Sequence, residues 1–188
     1  MSLDPARCQL LIVDMQARLM PSMDEIGPVT ARCRALIEGA RAFGVPILAS
    51  EQYPEGLGET DPGLVQALGN APRLPKTDFS AAADAEIRAE IEARHGEGQD
   101  RIVVAGIEAH VCVMQTVLDL LGAGLAVAVV SDAVTAHGAE NRRAAVKRMT
   151  DAGATLATTE MVLFEWAGSS RSPAFKTVSR LVKGLREA

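Results

Sequence analysis

RIVVAGIEAHVCVMQTVLDLLG, residues 101–122, decides the fold. Residues 101–105 are a short apolar run rich in β-branched side chains, the pattern of a strand buried on both faces. From residue 110 to 121, Val113, Val117, Leu120 and Leu121 recur at helical spacing, which gives a helix one apolar face, and Gly122 is its expected stop. A strand followed by a helix of this kind is the repeating unit of a parallel α/β sheet.

The same alternation recurs on either side. Strands are expected at residues 9–13 (QLLIV), 46–50 (PILAS), 73–76 (RLPK), 126–130 (AVAVV) and 155–158 (TLAT), six in all with residues 101–105. Pro75 confines the third to an edge or a bend, because proline cannot donate to the ladder. Helices are expected over residues 29–42, 62–68, 83–94, 139–152 and 173–185, the first stopped by Phe43-Gly44-Val45. The one long irregular stretch is residues 51–61 (EQYPEGLGETD), and loops of that length in a compact domain are usually functional or mobile.

The composition agrees with this architecture. With 188 residues, 48% of them hydrophobic and 23% charged, the chain has the size and the apolar content of a single folded domain over residues 1–188. Its mean hydropathy is +0.12. A net charge of −5 leaves no cationic surplus for neutralising phosphates, so nucleic acid is not an expected partner. No segment approaches the roughly 18–20 apolar residues needed to span a bilayer, and MSLDPARC lacks the basic and apolar regions of a signal peptide. No membrane partner is expected, and the expected location is cytoplasmic. Cys8, Cys33 and Cys112 are odd in number and lack CxxC spacing, so neither a disulfide framework nor a zinc knuckle is expected.

In a parallel α/β sheet, ligands bind at the carboxyl ends of the strands. Asp14 ends the first strand, Lys76 ends the third, and Cys112 lies just past the fourth, near the start of its helix. A thiol there meets the positive end of the helix dipole, which favours thiolate, and a nearby lysine adds to the effect. With Asp14 as proton acceptor, the three make a nucleophile, a base and an electrostatic partner, the minimal set for acyl transfer. Taken singly, each has an ordinary alternative: a packed cysteine, a turn-capping aspartate, a solvated lysine. Packing is the expected role of Cys33 and Cys8. Gln16 lies two residues past Asp14 and is a candidate for substrate positioning. The scarce aromatics Tyr53, Phe79 and Trp166 are candidates for lining a pocket.

These motifs resemble the isochorismatase-like cysteine hydrolase superfamily, and most of all its "isochorismatase domain-containing" branch of unassigned substrate. The resemblance is carried by LLIVDMQ (10–16), EQYPEGLG (51–58), KTDFS (76–80), GIEAHVCVMQTVLDLL (106–121), SDAVTA (131–136) and SSRSPAFK from Ser169. It implies a three-layer α-β-α sandwich around a six-stranded parallel sheet of Rossmann-like order 3-2-1-4-5-6. It also implies that Asp14, Lys76 and Cys112 match the family's catalytic triad. A non-proline cis peptide is implied at Ile107-Glu108, turning the Glu108 and Cys112 N–H groups to one point as an oxyanion hole. The implied activity is hydrolysis of a C–N (amide) or related acyl bond of a small molecule through a thioester. The implied assembly is a homodimer or homotetramer in which a neighbouring subunit covers the pocket.

The departures bear on substrate. Nicotinamidases of this superfamily are expected to carry Asp-x-His and a further histidine for a metal; the matching loop here reads Glu51-Gln52-Tyr53. Only His95, His110 and His137 are present, with no ligand spacing, so neither a metal nor another cofactor is expected. Siderophore-pathway isochorismatases typically lack the nucleophilic cysteine, so Cys112 speaks against isochorismate. Two rival classes remain for comparison. A nucleotide-binding module is disfavoured, because GxxxxGK[ST] is absent and Gly122-Ala123-Gly124 lies on the wrong side of its unit. A non-catalytic or redox-sensing binding protein that retains the fold is the alternative to a hydrolase.

Overall fold

The computed structural model describes residues 1–187. Six strands, β1 (Cys8–Val13), β2 (Ile47–Gln52), β3 (Arg73–Lys76), β4 (Arg101–Gly106), β5 (Ala126–Val134) and β6 (Thr155–Ala157), form one sheet. Its order is β3-β2-β1-β4-β5-β6 and every pairing is parallel. β3 is an edge strand with Pro75 exposed, as the missing N–H requires.

Alternation along the central strands divides the core in two. Leu10 and Ile12 of β1, Val103 and Ala105 of β4, and Ala128 and Val130 of β5 face one side. There they meet α1 (Ile26–Phe43), α3 (Pro62–Leu68), α7 (Thr159–Ala167) and α8 (Phe175–Glu187) through Leu36, Leu64, Leu163 and Leu181. Leu11, Val13, Ile102, Val104, Val127 and Val129 face the other. They pack on α4 (Ala85–Gly96), α5 (Met114–Gly122) and α6 (Ala139–Asp151) through Ile87, Val117 and Met149. Because both faces are covered, these strands read as continuous apolar runs rather than as alternating ones. The result is an α-β-α sandwich. Among the described residues no helix is long and apolar enough to cross a membrane.

Several boundaries differ from those the sequence predicts, each for a physical reason. β2 continues two residues past its apolar run, through the polar but buried Glu51 and Gln52. The stretch 51–61 therefore contains the end of a strand and a short helix, α2 (Pro54–Leu57). It is tied down: Ala17 N–H donates to Glu59 O at 3.1 Å, Asp61 N–H to Met15 O at 2.8 Å, and Thr60 Oγ1 to Glu51 Oε1 at 2.6 Å. α7, unforeseen, follows β6 at once, with Thr158 Oγ1 accepting from Met161 N–H and Gly168 closing it at φ 61°. α4 begins at Ala85 because Asp84 caps the N–H groups of Glu86 and Ile87. Gly122 does not itself reverse the chain after α5; the left-handed residue is Gly124, at φ 82°.

Candidate active site

β1 delivers Asp14 to the carboxyl edge of the sheet, where the chain turns at φ 50°. The adjacent end of β2 supplies Ser50, whose hydroxyl donates to Asp14 Oδ1 at 2.6 Å. β3 supplies Lys76, opposite Gln52 in register, and its Nζ donates to Asp14 Oδ2 at 2.7 Å. Both side chains of this ion pair are fully buried. Lys76 Nζ also donates to Gln52 Oε1 at 2.6 Å and to the carbonyls of Phe79 (3.1 Å) and Asp78 (3.2 Å). The ammonium is thus surrounded by oxygens, as a buried cation must be.

The nucleophile candidate enters from the other half of the sheet. After β4, Gly106 takes φ 122° against β1, so close that a Cβ would stand 2.1 Å from Val13 O. Only glycine fits. The Ile107-Glu108 peptide is cis. The chain then enters a single π-helical turn, Ala109–Val113, before α5. In an α-helix the Glu108 carbonyl would accept from Cys112 N–H, four residues on. Here it accepts from Val113 and Val111, each at 3.1 Å, which removes that partner from the Cys112 amide. Thr116 Oγ1 anchors the turn by donating to Cys112 O at 2.6 Å and accepting from Ala81 N–H at 2.8 Å.

Cys112 Sγ lies 4.0 Å from Gln52 Oε1 and within the influence of both Asp14 and Lys76. The sequence predicts a thiol made more acidic by the helix start and the lysine. The structure corrects this: Cys112 is 4% exposed, and burial first, then the Asp14 carboxylate, push its pKa up to about 12 against a smaller opposing pull from Lys76. The resting group is a neutral thiol beside a carboxylate and an ammonium.

Asp14, Lys76 and Cys112 thus converge, and Glu108 lies at the start of the Cys112 turn. Gln16 does not present its amide to a ligand. It is fully buried, Nε2 donates to Gln52 O (2.9 Å) and Gly58 O (2.5 Å), and Oε1 accepts from Gln52 N–H (2.7 Å). Both its donors are used, so it braces the site's backbone instead. Tyr53 and Phe79 flank Lys76 through their backbones, since Tyr53 N–H donates to Lys76 O at 2.8 Å, but their side chains are 54% and 55% exposed. In this chain they border the site rather than enclose a pocket. Trp166 is no pocket residue; it is 2% exposed and packed in the core near Gly39. The sequence reading missed Ser50 and Gln52. Their signal was spacing alone: Leu48, Ser50 and Gln52 share one face if the strand continues two residues past its apolar run. Among the described residues no group of three or more His, Cys, Asp and Glu is placed to hold a metal ion.

The model of the isochorismatase domain matches residues 8–161, which span every site residue described above. The chain belongs to the isochorismatase family. Isochorismatase domain-containing protein 1 of Danio rerio is 35% identical over 184 residues, which cover 97% of this chain and 63% of that protein. The chain therefore spans less than two thirds of that family member's length. Among solved structures, one described as MAR1 ribonuclease from Caenorhabditis elegans superposes with a TM-score of 0.90 at 35% identity, over 97% of this chain and 93% of that one. The ycaC gene product of Escherichia coli, described as an octameric hydrolase of unknown specificity, superposes with a TM-score of 0.89 at 26% identity, over 99% and 93%.

Proposed function

We propose that this isochorismatase-family chain is a cysteine-dependent hydrolase that cleaves a C–N (amide) or related acyl bond of a small molecule through a thioester intermediate. Family membership and the likeness to the E. coli hydrolase support hydrolysis. The cysteine mechanism rests on one observation: a buried Asp14–Lys76 ion pair bears on the Cys112 thiol from the opposite half of the sheet.

In this reading Asp14 takes the thiol proton as Sγ attacks the carbonyl carbon. The Glu108 and Cys112 amides hold the resulting oxyanion, and Lys76 stabilises the negative charge as it passes from the Asp14 carboxylate to that oxygen. Asp14 then returns the proton to the leaving amine as the C–N bond breaks, leaving the acyl group on sulfur. Water attacks the thioester, Asp14 accepts its proton, and the acid departs as the proton passes back to the sulfur. A thiol held neutral at rest suits this route, because its proton moves only as the carbonyl arrives. The same feature weighs against the redox-sensing alternative, since peroxide oxidises the thiolate. The proposed assembly is a homodimer or homotetramer, an oligomer being supported by the octameric E. coli protein.

The test is a panel of neutral amides, esters and thioesters, with a short RNA added because the C. elegans protein is described as a ribonuclease. Hydrolysis of an acyl compound should fall at least about 10³-fold in Cys112→Ala, and a trapped acyl group should add its mass to Cys112. Turnover that survives Cys112→Ala, or cleavage of RNA alone, would overturn the reading.

A further inference from the structure

We infer that Gln52 is a positioning residue: its side-chain oxygen holds the Lys76 ammonium beside Asp14 and faces the Cys112 sulfur. The two shortest contacts of Lys76 Nζ are to Gln52 Oε1 (2.6 Å) and Asp14 Oδ2 (2.7 Å). Cys112 Sγ stands 4.0 Å from the same Gln52 oxygen. One atom therefore touches the cation and the candidate nucleophile at once.

Gln52 is itself held so that it cannot turn over. Its Nε2 donates to Thr77 O at 2.8 Å, and its backbone N–H and C=O are both taken by the Gln16 amide. A flipped amide would set NH₂ against the ammonium and oxygen against the Thr77 carbonyl, two repulsive contacts in place of two attractive ones. Gln52 is 8% exposed, so solvent screens this arrangement little.

The charged groups acting on the thiol are Asp14, from the end of β1, and Lys76, from β3; Glu108 and His110 belong to its own chain turn. An oxygen of Gln52 in this company takes one Lys76 N–H for itself, which weakens the lysine's pull on sulfur, and puts the negative end of a dipole beside the thiol. Both effects hold the thiol protonated until substrate arrives. This inference rests on Cys112 being the nucleophile of the proposed reaction.

The test uses two substitutions of similar shape in the full chain, Gln52→Met and Gln52→Glu, with the iodoacetamide alkylation rate of Cys112 followed by mass spectrometry from pH 7 to 10. Removing the oxygen frees Lys76 toward sulfur, and the rate at fixed pH should rise about tenfold, equivalent to one unit in the thiol's pKa. Adding a carboxylate draws Lys76 from Asp14 and repels thiolate, and the rate should fall about tenfold. Opposite shifts are the signature, because loosened packing would speed both variants. Shifts in the same direction, or rates within about twofold of the parent in both, overturn the inference. Survival of hydrolysis in Cys112→Ala overturns the proposed function instead and leaves the alkylation comparison readable.

Discussion

Asp14 and Lys76, sixty-two residues apart in the chain, meet at 2.7 Å with both side chains wholly removed from solvent. A pair so placed is worth little against a well-packed apolar substitute, but breaking it strands a charge. Lys76→Met alone should therefore lower unfolding free energy by about 3–5 kcal/mol, and Asp14→Leu alone by a similar amount. The double variant should recover much of the loss. Urea denaturation of the three proteins checks this, and a single-variant loss under about 1 kcal/mol would mean that water reaches the pair.

The same two residues push the Cys112 thiol in opposite directions, so their removal should separate reactivity from turnover. Asp14 raises the thiol's pKa and Lys76 lowers it, on top of the larger effect of burial. Below its pKa of about 12 the thiolate fraction, and with it alkylation, climbs about tenfold per pH unit. At any fixed pH in that range Asp14→Ala should alkylate faster than the parent and Lys76→Ala more slowly, while both lose hydrolysis. Alkylation that is flat from pH 7 to 10 would show a thiol already ionised and would contradict the buried neutral form.

Gly106 carries the chain from β4 toward the π-turn, and its substitution tests how tightly that approach is fixed. A Cβ there would lie 2.1 Å from Val13 O, at a φ of 122° that other residues avoid. Gly106→Ala should cost more than about 3 kcal/mol or prevent folding. Gly96, where a Cβ meets nothing within 4 Å, is the control. Equal stabilities of the two alanine variants, measured by thermal unfolding, would refute the close approach.

Much of this arrangement was readable beforehand because it follows from burial. QLLIV, RIVVA and AVAVV announce central parallel strands, and a parallel sheet places sites where Asp14, Lys76 and the Cys112 turn fall. What stayed hidden depends on hydrogen bonds. Ser50 closes the expected second strand and Gln52 extends β2 past it, where the sequence reads as the start of a loop; the purpose of both polar side chains shows only once Ser50 is seen to meet Asp14 and Gln52 to meet Lys76. The π-turn at Ala109–Val113 differs from an α-turn by one hydrogen-bond step, a change that leaves no trace in composition. The acidity of Cys112 was misjudged for a related reason: helix position can be read from a sequence, but the depth of a sulfur beneath its neighbours cannot.

The strand order β3-β2-β1-β4-β5-β6 runs outward in both directions from the boundary between β1 and β4. Everything before α4 supplies Asp14, Ser50, Gln52 and Lys76, and everything after it supplies Gly106, Glu108 and Cys112. A chain severed at the exposed Gly98, in the loop between α4 and β4, yields one piece with the carboxylate and ammonium and another with the sulfur. Neither fragment holds all the residues of the proposed reaction centre, and the parallel pairing of β1 with β4 is the seam along which the two would dock. Hydrolysis by the mixture would then count reunited molecules, making the chemistry a reporter of how the two halves of the sheet recognise each other.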